Sequence, residues 1–181
     1  AAAFNSTFLQ LDNFKKATTA QMQDAMDGVN LLTKELTSVN DRILSSGQSG
    51  KPPNSFLDLR DRLVQDISAM ADVSVSYTDR GVANLTLGSS GAGPSLVDGK
   101  NQTQLGFNER YDRIGGLQIV LNPLSSQIPT SQLSAGIIAG LSEAYAAIDG
   151  VVNQMNQLAV QITTDLNSQH HRGITMDGLH G

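Results

Sequence analysis

Apolar residues recur along the first 46 positions at alternating steps of three and four. The series is Phe4, Phe8, Leu11, then Met22, Ala25, Val29, Leu32, Leu36, Val39 and Ile43. This spacing keeps one stripe of a helix against another helix along its length. The register passes through Lys15 and Thr18, which are polar, so the seam is interrupted there and not ended. The stripe is narrow. It fits an elongated bundle, or an ordinary amphipathic helix of a globular one.

Gly47-Gln48-Ser49-Gly50-Lys51-Pro52-Pro53 stops this helix, because glycines supply left-handed geometry and prolines cannot continue a helix. A second helix is predicted at once. Asn54 or Ser55 is the expected N-cap, and Ser55 with Asp58 has the spacing of a capping box. Phe56, Leu57, Leu59, Leu63, Val64 and Ile67 form its apolar face. Asp58 and Arg62, four apart, are placed to pair on its surface.

From Asp72 the period changes to two. Val73, Val75 and Tyr77 alternate with Ser74, Ser76 and Thr78, Asp79-Arg80-Gly81 reads as a turn, and Val82 to Leu87 alternates again. This predicts a β-hairpin. Short strands are expected at 95–97, 104–107 and 117–121. Such a lobe holds too few large apolar residues to stand alone and should lean on the helices. Residues 122–130, with Pro123 and Pro129, link back to helix. The last segment repeats the helical spacing through Ile137, Leu141, Ala144, Ile148, Val151, Met155, Leu158 and Ile162. Gly136, Gly140 and Gly150 weaken that helix, and mark either close approaches or bends.

The expected fold is therefore mainly α with a small β insertion. An elongated bundle of long antiparallel helices, residues 1–71 and 131–172, carries a small antiparallel β lobe, residues 72–130. The chain begins at Ala1 with no basic leader and ends on Asp177-Gly178-Leu179-His180-Gly181, as expected for a piece of a longer protein.

Composition narrows the function. The net charge is −5, against the basic face that a nucleic-acid binder needs. No run of about 18 apolar residues encodes a membrane span. The absence of Cys removes thiol chemistry and Cys-based zinc sites. Aromatics at 4% and no Trp leave little for stacking pockets. The Gly88–Ser95 loop has Pro94 where a phosphate loop needs Lys. His170 and His171 are adjacent on a helix, so they point about 100° apart and share one ion poorly. They fit a helix C-terminus, where positive charge is favoured. No nucleophile elbow is present. No catalytic residue, cofactor or metal site is expected. Two classes remain: an assembly part, or a helical ligand-binding or sensor module of a bacterial surface protein.

One stretch is more specific. Pro53-Asn54-Ser55-Phe56-Leu57-Asp58-Leu59-Arg60-Asp61-Arg62-Leu63-Val64 resembles the Pro-Asn-x-Leu-Leu-Asp-x-Arg-Asp-x-Leu-Val motif of the first hook-associated proteins of bacterial flagella. Leu36 to Ile43, the hairpin from Asp72, and Asn167-Ser168-Gln169-His170-His171-Arg172-Gly173 are similar to further parts of that family, in the same order. The resemblance implies a structural adaptor at the hook–filament junction, needed for filament assembly and without a reaction to perform. It implies contacts with the hook protein, neighbouring copies and the next junction protein, and an export chaperone for the full-length protein. It further implies an extracellular place in the flagellum, reached by the flagellar type III route, with 173–181 leading toward an outer domain. Within the motifs, Asn54 would cap its helix, Asp58, Arg60 and Asp61 would tie that helix to a neighbour, Asn167, Gln169, His170 and Gly173 make up the second structural motif, and Gly173 would cap the last helix.

Overall fold

The computed structural model describes residues 2–46, 51–109, 117–124, 127–130 and 133–172. Helix α1 (Ala2–Ser46) is the spine, followed by α2 (Asn54–Met70). The β region holds β1 (Val73–Tyr77), β2 (Ala83–Leu87), β3 (Ser95–Asp98), β4 (Asn101–Gln102), β5 (Leu105–Glu109), β6 (Leu117–Leu121) and β7 (Ile128–Thr130). Helix α3 (Gly136–Arg172) completes the chain. The fold is mainly helical with an antiparallel β insertion.

The stripe on α1 is buried as its spacing predicts, but only over the C-terminal half. Met22, Met26, Val29, Leu36 and Ile43 are fully buried. They meet Leu63, Val64 and Ile67 of α2 in one core. Phe56, Leu57 and Leu59 pack against that core half-buried.

The insertion holds two antiparallel sheets. β1-β2-β3-β4 form an antiparallel meander, and β5-β6-β7 form a second antiparallel sheet. β4 and β7 fall in stretches whose sequence carries no alternation. Pro129 lies in β7, an edge strand, where a missing N–H costs no ladder bond. Leu85, Leu87, Leu96, Val97, Leu105 and Leu121 join the helical core, so the sheets do lean on the helices.

The contact between helix and sheets is not purely apolar. Asn40, fully buried, donates from Nδ2 to Ala83 O at 2.8 Å and Gly99 O at 2.7 Å. Ala83 N donates back to Asn40 Oδ1 at 3.1 Å. Asn30 does the same at β5, donating to Leu105 O at 2.8 Å and accepting from Leu105 N at 2.8 Å. Each amide thus pairs with one residue's N–H and C=O as a neighbouring strand would. Gln102 Nε2 adds bonds to Asn30 O and to Thr33 Oγ1, at 2.6 and 2.7 Å.

The glycines of α3 divide. Gly136 has φ +86°, and a Cβ there would lie 2.8 Å from Met70 O, so it marks a close approach to the end of α2. A Cβ on Gly140 or Gly150 would meet nothing within 4 Å, so neither serves close packing within the chain.

Replacing Asn40 by Ala strands the N–H of Ala83 and two carbonyls inside the fold. A buried group left unpaired costs about 1–3 kcal/mol. Urea unfolding should show Asn40→Ala destabilised by about 2–4 kcal/mol. Asn40→Asp should be no better, because a carboxylate cannot donate to the two carbonyls. A loss below about 0.5 kcal/mol for either variant would contradict the role given to this amide.

Candidate functional site

The sequence-predicted motif residues fall on the first half of α2, and the structure separates their roles. Helix α2 begins at Asn54, so the capping position falls on Pro53, and no side chain caps the helix. The expected Asn54 cap and the Ser55–Asp58 box are therefore not formed. The helix starts one residue too early for them, at Asn54 itself, with Pro53 (φ −58°, ψ 137°) in the capping position. Asn54, Asp58 and Asp61 are exposed. Among the described residues the Asp58–Arg62 ion pair is absent.

Arg60 does tie α2 to a neighbour, and the neighbour is the hairpin turn of the same chain. Its Nη1 donates to Gly81 O. Its guanidinium lies 4.6 Å from the centre of the Tyr77 ring. Nε donates to Asp61 Oδ1 at 2.8 Å, and Nη2 lies 2.6 Å from the same oxygen. Gly81 has φ +82°, and a Cβ there would meet Arg60 Nη1 and Leu57 Cδ2 at 3.2 Å. The turn therefore needs glycine both for its backbone and for the approach of Arg60.

A second polar cluster sets how α3 lies on α1. Lys15, the interruption in the α1 stripe, reaches Asp149 Oδ1 at 2.6 Å and lies 4.8 Å from the Tyr145 ring centre. The two helices run antiparallel. Thirteen residues separate Lys15 from Gly28, and thirteen separate Asp149 from Gly136. Gly28 and Gly136 both lie against Met70. Burial pushes the Lys15 pKa down, but the hydrogen bonds to Asp149 and Tyr145 and their charge outweigh it, leaving the ammonium above its usual 10.5.

This cluster also rotates α3 away from the phase its heptads predict. The fully or nearly buried positions are Ile138, Ala139, Tyr145 and Asp149. The expected stripe is only partly covered. Ile137 is 52% exposed, Val151 43%, Leu158 51% and Ile162 48%. The physical reason is that Asp149 and Tyr145 must face Lys15, which turns Ala144, Val151 and Leu158 outward. On α1, Phe8, Leu9 and Phe14 are exposed as well. An apolar seam thus lies open beside the paired N-terminal half of α1 and the C-terminal half of α3. Sequence periodicity found Phe8, Val151 and Leu158 but placed them on the packed face, and Leu9 and Phe14 lie outside its stripe.

Asn167, Gln169 and His170 are exposed on the last turns of α3. Gly173, the proposed cap, lies outside the described residues. Arg172 places positive charge at the C-terminal turn, beside His170 and His171, as the helix dipole favours. Among the described residues, no group of three or more His, Asp or Glu side chains could hold a metal ion, and no helix is long and apolar enough to cross a membrane.

The model of the flagellar hook-associated protein FlgK helical domain matches residues 1–181, the whole chain. The chain belongs to this family. Flagellar hook-associated protein 1 of Escherichia coli K12 is 29% identical over 181 residues, 97% of this chain and 32% of the relative. The Bacillus subtilis protein of the same name is 26% identical over 204 residues, covering 100% of this chain and 40% of the relative. In structure, the flagellar hook junction protein FlgK from Burkholderia pseudomallei matches with a TM-score of 0.79 at 26% identity, over 98% of this chain and 32% of that one. The chain therefore spans about a third of the length of its Escherichia coli relative.

Two variants test these polar clusters. Arg60→Ala should destabilise by about 1–3 kcal/mol, the range for a charge-assisted hydrogen bond, and should speed amide exchange around Gly81. Arg60→Lys should not rescue it, because an ammonium cannot span Gly81, Tyr77 and Asp61 together. Unchanged exchange at the turn would refute the clamp. The Lys15 contribution is governed by a raised folded pKa. It should be fully present below the unfolded value and lost as pH rises through the folded one. Wild type should thus lose stability relative to Lys15→Met only above about pH 10.4. A difference that disappears between pH 6 and 9 would contradict the assignment.

Proposed function

We propose that this chain is the helical domain of a hook–filament junction protein, a structural adaptor that the filament needs in order to assemble. In this reading the full-length protein leaves the cell by the flagellar type III route, guided by an export chaperone. It then sits outside the cell between the hook protein and the next junction protein, beside copies of itself. Helices α1 and α3, antiparallel and pinned by Lys15, carry axial load. The division into a helical bundle of residues 1–71 and 131–172, a β insertion of 72–130 and a linker from 173 belongs to the same reading.

The observation that carries this reading is the open apolar seam. Val151 and Leu158 stand seven apart and are about half exposed, with Phe8, Leu9 and Phe14 exposed on the partner helix. Val151, Leu158 and Ile162 share one face of α3, and exposed apolar surface of this kind marks an interaction site. Heptad spacing specifies that the interaction is helical and lengthwise. Further helices of the longer protein, or of its neighbours in the axial structure, fit that description. The sensor alternative needs a ligand cavity between the long helices. Two cavities, of about 400 and 370 Å³, lie around the Asp79–Gly81 turn, away from the facing halves of α1 and α3.

The seam can be tested without harming the fold of the chain. Val151→Asp and Leu158→Asp replace exposed positions, so the isolated chain should keep its stability within about 0.5 kcal/mol. The same substitutions in the full-length protein should abolish filament formation and swarming. Normal filaments on cells carrying both substitutions would overturn the proposal.

A further inference from the structure

The cavity of about 400 Å³ is formed where the start of α2 meets the β1–β2 turn, and Lys51, Arg60 and Arg80 line it with a single acid, Asp79. Pro52 and Leu57 supply apolar wall. Arg60 is already engaged by the turn. Lys51 and Arg80 are exposed and form no ion pair among the described residues. This is a concave, locally cationic surface on a chain of net charge −5. Concave charged surfaces focus their field on an incoming partner of opposite sign.

The complementary surface is on α1. Asp24, Leu31 and Glu35 stand at steps of seven and four, flanked by Asp27, and all are exposed. At about 100° per residue they occupy the face opposite Met22, Val29, Thr33, Leu36 and Asn40. Lys34, exposed beside Glu35, is the one cation within this stretch, so the ridge stays net acidic, with one prominent apolar side chain, Leu31, which is 67% exposed. A single exposed ion pair contributes little. Several acids converging on Lys51 and Arg80, with Leu31 against Pro52 and Leu57, combine charge with apolar burial.

We propose that this cavity receives the Asp24–Glu35 ridge of a second copy of this chain. The proposal rests on the structural reading above and gives it a lateral contact. Socket and ridge are different surfaces, so the contact is head-to-tail. Such a contact repeats into a ring or a helical array in place of closing a two-fold dimer. That is the geometry an axial structure requires. Electrostatic attraction makes the contact sensitive to salt.

The test mixes isotopically light and heavy chain at about 1 mM and low salt, then applies a zero-length carbodiimide cross-linker. Light–heavy peptides joining Lys51 to Asp24, Asp27 or Glu35 are expected. Sedimentation equilibrium should show self-association weakened at least tenfold by Lys51→Glu with Arg80→Glu, and likewise by Asp24→Lys with Glu35→Lys. An equimolar mixture of the two variants should associate again, as their charges are once more opposite. All four positions are exposed, and unchanged circular dichroism confirms that the variants fold. A parent chain that stays monomeric, cross-links that avoid the ridge, or charge variants that associate like the parent would each overturn the contact. None of these outcomes bears on the open-seam experiment, so the contact can fail while the junction reading stands.

Discussion

A buried polar stripe on one helix holds this structure together. Asn30, Thr33, Thr37 and Asn40 step by three, four and three along α1, beside the apolar series Val29, Leu36, Val39 and Ile43. Burying an amide without partners costs several kcal/mol. Here every such group is answered, and no buried side-chain nitrogen or oxygen among the described residues lacks a bond. Asn40 and Asn30 are answered by the first residues of β2 and β5, so two separate sheets are referenced to one helix, while Thr33 and Thr37 donate to carbonyls of α1 itself. The sheets are small and share no ladder. Their relation to each other depends on α1.

The two halves of α1 consequently do different work. The C-terminal half has a complete core, with α2 on one side and the sheets on the other. The N-terminal half has α3 alone, and two helices cannot enclose the apolar residues that both carry. Lys15 governs this half. By requiring Asp149 and Tyr145 on the shared face, it fixes the rotation of α3 and turns a heptad stripe outward. The domain joins an end with a buried core to an end whose apolar residues stay partly exposed.

Much of this was legible in the sequence. The three helices, the hairpin and the strands at 95, 105 and 117 all follow from periodicity and turn residues. The failures have physical causes. Heptad spacing names the apolar residues of α3 but not the partner they face, and a lysine in the facing helix decided the rotation. Local capping rules favoured Asn54 as the cap, yet Asn54 is already helical and Pro53 takes the capping position. β4 and β7 are held by pairing with neighbours and carry no pattern of their own. Arg60 was singled out by its motif, but its contact with Gly81 and Tyr77 spans elements that spacing cannot bring together. The stripe of Asn30, Thr33, Thr37 and Asn40 was visible as polar residues at seam spacing. Its meaning needed the strands beside it.

The central claim is that α1 is one continuous helix with two stabilities. Hydrogen exchange resolved along α1 in the isolated chain tests it most directly. Amides from Met22 to Ile43 should open only with global unfolding. Those from about Asn5 to Leu11, together with the last turns of α3, should exchange through local openings at least about 2 kcal/mol easier. Uniform protection from end to end, with no step near Met22, would contradict the account.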